Sequence, residues 1–297
     1  MSEVLMCEAN VSEGRRHDVV ETFVDAVRTV DGVSIADYSS DADHHRSVIT
    51  FLGPPEQVLE AAKRLAAAVL EAVDMREHAG EHPRQGALDV VPFIPLRDLE
   101  TEQAVAIARR FGEWLGKRDV PVYYYEDAAT REDRRSLPKI RKGQYEALEQ
   151  KLADPDWAPD AGPAKFNAKS GATVTGARFP LIAFNVNLRT DDLVVAQTIA
   201  RAVRHISGGY KHVRGMGFAL EAKGMVQVSM NLVNYLETPI PRVLETVRSE
   251  AARYGVLVAG TELIGPVPLG ALEEVVRHYL QTHEFKTEQI VETALLP

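Results

Sequence analysis

Along the first half of the chain, the spacing of apolar residues changes between the period of a helix and the period of a strand. Apolar residues recur every three or four positions within 19–27, 56–73 and 101–116, which predicts three helices. Short apolar or alternating runs predict strands at 5–10, 33–38, 46–53, 87–92 and 121–125. This β-α-β-β-α-β-like order, with further elements after it, predicts a ferredoxin-like α+β sandwich.

The second half of the chain repeats this order. Periodicity predicts helices at 192–206 and 241–254, and strands at 179–188, 215–221, 225–232 and 257–262. Similar landmarks follow Leu5 and Leu181, which indicates a duplicated unit. We therefore predict two ferredoxin-like α/β subdomains, at 1–178 and 179–297, with a groove or tunnel between them for a small molecule. The Pro- and Gly-rich residues 154–176, between these halves, are typical of a linker or a binding loop.

Composition argues against several classes of protein. A net charge of −9 disfavours a general nucleic-acid binder. No apolar run reaches the roughly 18 residues of a membrane span, and the N-terminus lacks the pattern of a secretion signal, so the cytoplasm is the expected compartment. The single cysteine, Cys7, lies in an apolar strand and is expected to be a buried, inert thiol. The basic run 131–142 could attract an anionic small molecule, but most of it is more simply a solvated charged helix face.

The densest candidate chemistry lies at His78-Ala-Gly-Glu-His-Pro-Arg-Gln-Gly-Ala-Leu-Asp. His78 and His82 have the spacing of two metal ligands on a helix, but Pro83 disfavours helical conformation at His82. A metal site would also need further ligands, for which the candidates are His44, His45, Asp41 and Asp43. An acid–base role fits His82 better, because imidazole titrates near pH ~6.5 and this loop leads into a buried strand. The competing interpretation is an ordinary hydrogen-bonded imidazole, which we expect for His78.

Six segments carry a more specific pattern: Asn10–Gly14, Asp41–Phe51, Gly80–Pro95, Trp157–Pro163, Gly171–Arg178 and Ala183–Leu188. The element Gly-Glu-His-Pro-Arg-Gln-Gly-Ala-Leu-Asp-Val is long and distinctive. Together with weaker similarity further along, these segments cover nearly the whole chain. They resemble the glutamate formiminotransferase family, which also forms the transferase half of a bifunctional formiminotransferase–cyclodeaminase. Nothing in the chain resembles the cyclodeaminase half.

The resemblance implies transfer of a formimino group from N-formiminoglutamate to N5 of tetrahydrofolate, as in histidine degradation and one-carbon metabolism. Tetrahydrofolate would be a co-substrate bound in a tunnel between two α/β subdomains, no metal is expected, and the family tends to form homodimers. His82 aligns with the family's catalytic histidine. The family's folate-binding loop aligns with Gly162, Pro163, Ala164, Lys165, Phe166, Asn167, Ala168, Lys169, Ser170 and Gly171.

This chemistry suggests roles for further polar residues. A single imidazole can take the proton from the attacking nitrogen and give one to the departing nitrogen. Asp37 or Asp89 could orient His82. Cations that could bind the carboxylates of the substrate and the folate tail are Arg46, Arg84 and Lys165. Side chains that could hydrogen-bond the substrate, or equally serve as turn or cap residues, are Asn10, Ser12, Asn185 and Asn187.

The chain also departs from the family's usual pattern. His45 stands where asparagine is usual, and Gln85 where methionine is usual. Such changes leave open a glutamate formyltransferase that uses 5-formyltetrahydrofolate. Two further functions compete with it: a folate-binding protein without transfer activity, and a metal-dependent hydrolase built on His44, His45 and His82.

Overall fold

The computed structural model of the protein describes residues 3–80 and 82–295, with side chains up to residue 293. The described residues up to Arg178 form one compact unit, and those from Phe179 onward form a second. The first unit contains β1 (Leu5–Val11), α1 (His17–Arg28), β2 (Ser34–Asp41), β3 (Arg46–Gly53), α2 (Pro55–Ala72), β4 (Leu88–Pro95), α3 (Thr101–Gly116), β5 (Val122–Glu126), α4 (Leu137–Ile140), α5 (Leu148–Ala153) and β6 (Thr173–Ala177). The second contains β7 (Ile182–Leu188), α6 (Leu193–Val203), β8 (Val213–Leu220), β9 (Met225–Leu232), α7 (Ile240–Ala252), β10 (Val258–Ile264) and α8 (Leu269–Leu280).

The first four strands of the first unit form an antiparallel sheet in the order β2-β3-β1-β4. Alternation decides which side of β1 is buried, because successive side chains of a strand point to opposite faces. Leu5, Cys7, Ala9 and Val11 are buried and share one core with α1 and α2, whereas the residues between them are half-buried. Burial raises the pKa of the Cys7 thiol well above its usual range, which agrees with an inert cysteine.

The sheet continues beyond β4 with parallel strands in the order β4-β6-β5. The interpretation of residues 154–176 as a linker between the two halves is therefore wrong. The segment belongs to the first unit, and its last residues enter β6 in the interior of the sheet. The hydroxyls of Thr173 and Thr175 donate to carbonyls of β4 at 2.7 and 2.8 Å, which allows these polar residues to be buried.

The second unit has one antiparallel sheet in the order β8-β9-β7-β10. The path β-α-β-β-α-β through this sheet is the same as the path from β1 to β4, which confirms the α+β class with two ferredoxin-like subdomains. The core lies between the sheet and α6 and α7. Helix α8 was not predicted from the sequence. None of the helices in the described part of the chain is long and apolar enough to cross a bilayer.

Candidate active site

The connection between α2 and β4 carries His82, and described residues on both sides of His82 contact neighbouring elements. The hydroxyl of Ser12, just after β1, donates to the Gly86 carbonyl at 2.8 Å. Gly80 packs so closely on the turn between β2 and β3 that a Cβ at this position would lie 2.4 Å from the His44 carbonyl oxygen. These contacts place the His82 ring beside the first residues of β3.

The His82 ring faces a guanidinium group. Nη1 of Arg46 lies 2.6 Å from Nε2 of His82. Because arginine can only donate hydrogen bonds, Nε2 accepts, and the proton of the neutral ring is on Nδ1. Nδ1 is buried and has no hydrogen-bond partner of good geometry within the described residues. Burial, followed by the charges of Arg46 and Arg141, lowers the pKa of His82 to about 3. The ring is therefore uncharged at neutral pH, as a general base must be.

A small pocket opens at His82, and four histidines contribute to it. Rings of His44 and His82 meet edge to face with centroids 6.2 Å apart, and those of His45 and His78 stack at 4.2 Å. Among residues 3–80 and 82–295, no three His, Cys, Asp or Glu side chains are grouped in a way that could hold a metal ion. The residues that line the pocket are Ser12, His44, His45, Arg46, His78, His82, Arg84 and Asp89.

Asp89 is buried at this site, but it does not contact His82. The register of β4 against β1 shifts next to Asp89, and such a bulge turns a side chain out of the regular alternation. The Asp89 carboxylate accepts hydrogen bonds from the backbone amide of Gln85, at 2.8 Å, and from the Arg141 guanidinium. Burial raises the pKa of Asp89, and Arg141 opposes that shift. Asp37 is exposed on the edge strand β2. Within the described residues, no carboxylate hydrogen-bonds the His82 ring.

Arg84 is buried and fully engaged by other protein groups. It forms a bidentate ion pair with Glu146, with N–O distances of 2.9 and 2.6 Å. Its other donors reach Gln144 Oε1, the Nδ1 atom of His78 and the His78 carbonyl. His78 in turn donates from Nε2 to the His45 carbonyl at 2.9 Å. Through Gln144 and Glu146, Arg84 links the segment around residue 145 to the connection that carries His82. Arg46, and not Arg84, is the cation that contacts the His82 ring.

The predicted folate-binding loop, Gly162–Gly171, ends directly on the His82 connection. Gly171 has a positive φ of 64°, and a Cβ there would lie 2.2 Å from the Gln85 carbonyl oxygen. The Ser170 carbonyl accepts from the Ala87 amide at 2.8 Å. Within the loop, Asn167 Oδ1 accepts from the amides of Lys169 and Ser170, both at 3.2 Å. The end of the loop is therefore hydrogen-bonded to the connection that carries the candidate base.

Side chains in the middle of the loop differ in their surroundings. The Phe166 ring packs on Tyr145 with centroids 5.5 Å apart, and the Tyr145 hydroxyl donates to the Ala168 carbonyl. Lys169 Nζ donates to the carbonyl of Glu71 at 3.0 Å. Pro163 is half-buried, Ala164 and Lys165 are exposed, and the described residues offer Lys165 no ion pair. Lys165 is thus an exposed loop cation whose ammonium group no described residue engages.

The predicted substrate-binding asparagines lie in both units. Asn10, on β1, is half-buried and donates to the Glu8 carbonyl at 3.3 Å. Asn185 and Asn187, on β7, both bind the carboxylate of Glu262 on β10, and Asn187 contributes most to the lowered pKa of Glu262. Gln227, on β9, donates to Asn187 at 2.8 Å. The two asparagines of the second unit therefore form one polar cluster on its sheet.

Comparison with known proteins identifies the family. The Formiminotransferase domain, N-terminal subdomain, matches residues 4–178, and the Formiminotransferase domain matches residues 183–295. The chain belongs to the formiminotransferase family. It is 44% identical to the glutamate formimidoyltransferase of Streptococcus pyogenes over 100% of both chains. It is 46% identical to that of Thermoplasma acidophilum, over 96% of this chain and 95% of the relative. It is 42% identical to the formimidoyltransferase-cyclodeaminase of Rattus norvegicus over 94% of this chain and 53% of the relative.

In this formiminotransferase, sequence reasoning missed the role of the basic run 131–142. Most of its charged residues are exposed, as predicted, but Arg134 and Arg141 pair with carboxylates whose side chains are buried. Arg134 is buried in an ion pair with Asp160 at 2.9 Å, and Arg141 binds Asp89. Ile140, which is fully buried beside Arg141, was the available signal that this run faces the protein and not water.

A second missed residue of this formiminotransferase is Glu13, which lies in the first matching segment. Its side chain is buried and accepts from the amides of Arg15 and Arg16 at 2.9 and 3.0 Å. It also meets Nε2 of His45 at 3.2 Å. Glu13 therefore supports the turn that carries His44, His45 and Arg46.

Proposed function

We propose that this protein is a glutamate formiminotransferase that transfers the formimino group of N-formiminoglutamate to N5 of tetrahydrofolate. The observation that carries the proposal is the match to both formiminotransferase domains across residues 4–178 and 183–295. The relatives named glutamate formimidoyltransferase, at 44 and 46% identity, support the same activity. An uncharged histidine in a cationic pocket supplies the acid–base group that this transfer needs.

His82 is the proposed general base and general acid. The N5 amine attacks the formimino carbon and forms a tetrahedral intermediate, in which N5 carries an extra proton. Nε2 of His82 takes that proton and then delivers one to the nitrogen of the departing glutamate. The bond between that nitrogen and the formimino carbon breaks, so that glutamate leaves and the formimino group stays on N5. The same imidazole is regenerated in each cycle.

The loop Gly162–Gly171 is the proposed folate contact. Its attachment to Gln85 would keep a bound folate at a fixed distance from His82. Lys165 is the proposed partner of the anionic folate tail, because its ammonium group is exposed and no described residue pairs with it. Asn185 and Asn187 remain proposed substrate contacts, with Glu262 as the residue that fixes their orientation.

A product assay tests the activity. The purified chain is incubated with tetrahydrofolate and N-formiminoglutamate together, and then with each compound alone. We expect glutamate and 5-formiminotetrahydrofolate only from the mixture. His82→Ala should reduce kcat by about 100-fold or more and leave folate affinity within a few-fold, while the exposed His205→Ala control should match the wild type. Near wild-type kcat in His82→Ala would overturn the role of His82.

Further arms of the assay test the competing functions. Turnover of 5-formyltetrahydrofolate with glutamate, without turnover of N-formiminoglutamate, would point to the formyltransferase. Saturable folate binding without turnover of either donor would point to a binding protein. Turnover that is lost when a chelator is added and restored by a metal ion would point to the metal-dependent hydrolase.

We also propose that the protein works in the cytoplasm as a homodimer. Support for the dimer comes from the edge strand β10, where Leu263 and Ile264 are 44 and 55% exposed. Apolar side chains on an edge strand favour association with another chain. Light scattering should give a mass of two chains, and a mass of one chain at micromolar concentration would contradict the dimer. Cell fractionation tests the compartment.

A further inference from the structure

Among the residues that the structure describes, the surroundings of His82 contain more positive than negative charge. Arg46 and Arg141 both act on the ring, and the carboxylate near them, Asp89, supplies at most one negative charge. Other carboxylates that act on Arg46 already have cationic or polar partners, since Glu8 binds Arg178 and Asp41 binds His44. An uncompensated positive charge in a half-buried environment is unfavourable. The environment of His82 therefore favours binding of an anion.

Of these two cations, Arg46 could receive an anion without breaking an ion pair between described residues. Burial, followed by the charge of Arg141, lowers the pKa of Arg46, which shows that its charged form is destabilised where it lies. Arg141 has its carboxylate partner in Asp89, but no carboxylate within the described residues forms an ion pair with Arg46. The hydrogen bond to the neutral ring of His82 is a weak substitute for one.

The hydrogen bond from Arg46 also prevents the His82 ring from accepting a proton. A neutral imidazole has one nitrogen that can accept a proton, and here that nitrogen, Nε2, is occupied by Arg46. The other nitrogen, Nδ1, is buried and carries the ring proton. In this arrangement His82 cannot accept a proton from a substrate amine until Arg46 moves away.

We propose that Arg46 and Arg141 form a carboxylate subsite, and that a carboxylate of the glutamyl substrate binds Arg46 and so releases Nε2 of His82. The inference rests on the proposed function and gives the negative charge of the substrate a role in freeing the base. The bound carboxylate replaces the imidazole as the acceptor of the Arg46 donors, and it balances the surplus charge. When glutamate leaves as product, Arg46 returns to Nε2. The base is therefore active only while a glutamyl group is bound.

The test uses glutarate, a dicarboxylate that has neither an amino nor a formimino group and cannot be turned over. The carbon-bound ring protons of His82 are followed by NMR in the full-length protein against pH, at constant ionic strength, with and without glutarate. Glutarate should raise the pKa of His82 by about one unit or more, because a guanidinium leaves the ring and an anion arrives nearby. Sodium chloride at the same ionic strength should not.

Variants give the matched controls. In Arg46→Gln, the pKa of His82 should be raised without glutarate and should no longer respond to it. In Arg141→Gln, about tenfold more glutarate should be needed for half of the response. Arg64→Gln, on the exposed side of α2, should behave as the wild type.

Two results would overturn the subsite: a titration of His82 that saturating glutarate leaves unchanged in the wild-type protein, or a full response to glutarate in Arg46→Gln. The wild-type titration decides the question even if a variant fails to fold. Failure of the proposed function is a separate result, since a protein without turnover could still show the glutarate response. Turnover without any response would leave the transferase in place and remove the subsite.

Discussion

The carbonyl of Gln85 accepts a hydrogen bond from the Ala172 amide at 3.0 Å, and Gly171 lies directly against it. Gln85 follows His82 by three positions, and Gly171 is the last residue of the proposed folate-binding loop. The sequence separates these two segments by more than eighty residues, but the backbone joins them. This contact makes the geometry of the loop and of His82 interdependent.

Replacing Gly171 by alanine should disrupt this contact. The new Cβ would lie 2.2 Å from the Gln85 carbonyl oxygen, and the φ of 64° is unfavourable for alanine. We expect a loss of about 2–4 kcal/mol in the free energy of unfolding, measured by urea denaturation. Gly208→Ala is the matched control, because its φ is 93° and no atom lies within 4 Å of its Cβ position. It should lose about 1 kcal/mol. Equal losses of stability in the two variants would mean that the close approach of Gly171 to the Gln85 carbonyl does not restrict this position.

Removing the carboxylate that holds Arg84 should reduce stability without changing substrate affinity. Glu146 is exposed, but Glu146→Ala would leave the buried guanidinium of Arg84 without its anion. We expect a loss of about 2 kcal/mol on urea denaturation, compared with less than about 0.5 kcal/mol for the exposed neighbour Glu149→Ala. The KM for N-formiminoglutamate should stay within about twofold in both variants. A rise in KM confined to Glu146→Ala would instead indicate that Arg84 contacts the substrate.

The fold was largely predictable because its signals are local. The alternation of Leu5, Cys7, Ala9 and Val11 and the helical spacing in α2 each reflect one buried face, which a single segment records. Strand β6 was missed because its Thr-Val-Thr-Gly sequence has few apolar residues. Its hydroxyls are satisfied by carbonyls of β4, which is a property of two segments and not of one.

The candidate site was predictable only in part, for the same reason. The spacing and the resemblance pointed to His82, and the structure places it in a pocket with Arg46. The sequence could not show that Arg84 is neutralised by Glu146, or that Asp89 is bound by Arg141, because those partners lie 62 and 52 positions away. A charged residue in a loop gives no local sign of whether its partner is a ligand or another side chain.

Glu13 should make stability depend on acid pH. Burial tends to raise its pKa, but hydrogen bonds from the amides of Arg16 and Arg15 outweigh that effect and bring the pKa to about 2. A carboxyl with a depressed pKa in the folded state stabilises the fold fully above its unfolded pKa, which is 4.5 for this glutamate. That contribution is lost as the pH falls toward 2.

The comparison of wild type with Glu13→Gln measures this contribution. The wild type should be more stable by up to about 3 kcal/mol at pH 7, and the difference should shrink as the pH is lowered from about 5 toward 3. Urea midpoints at several pH values give the difference directly. A gap that stays constant across this range would show that the charge of Glu13 does not stabilise the fold. Glu77 is an exposed carboxylate in the connection between α2 and β4, and the control variant Glu77→Gln should show no such convergence.

His45 occupies a position that asparagine should tolerate and valine should not. Its φ is 48°, in the left-handed region that asparagine adopts readily and β-branched residues avoid. The His45 ring also connects the turn to two other segments, through Nδ1 to the Ala79 carbonyl at 3.0 Å and through Nε2 to the Glu13 carboxylate at 3.2 Å.

We expect His45→Asn to change the free energy of unfolding by less than about 1 kcal/mol and His45→Val to lower it by about 2–3 kcal/mol. Because this turn carries Arg46, kcat should fall in the valine variant and largely persist in the asparagine variant. Similar losses in both would mean that the ring contacts, and not the backbone conformation, decide the residue at this position.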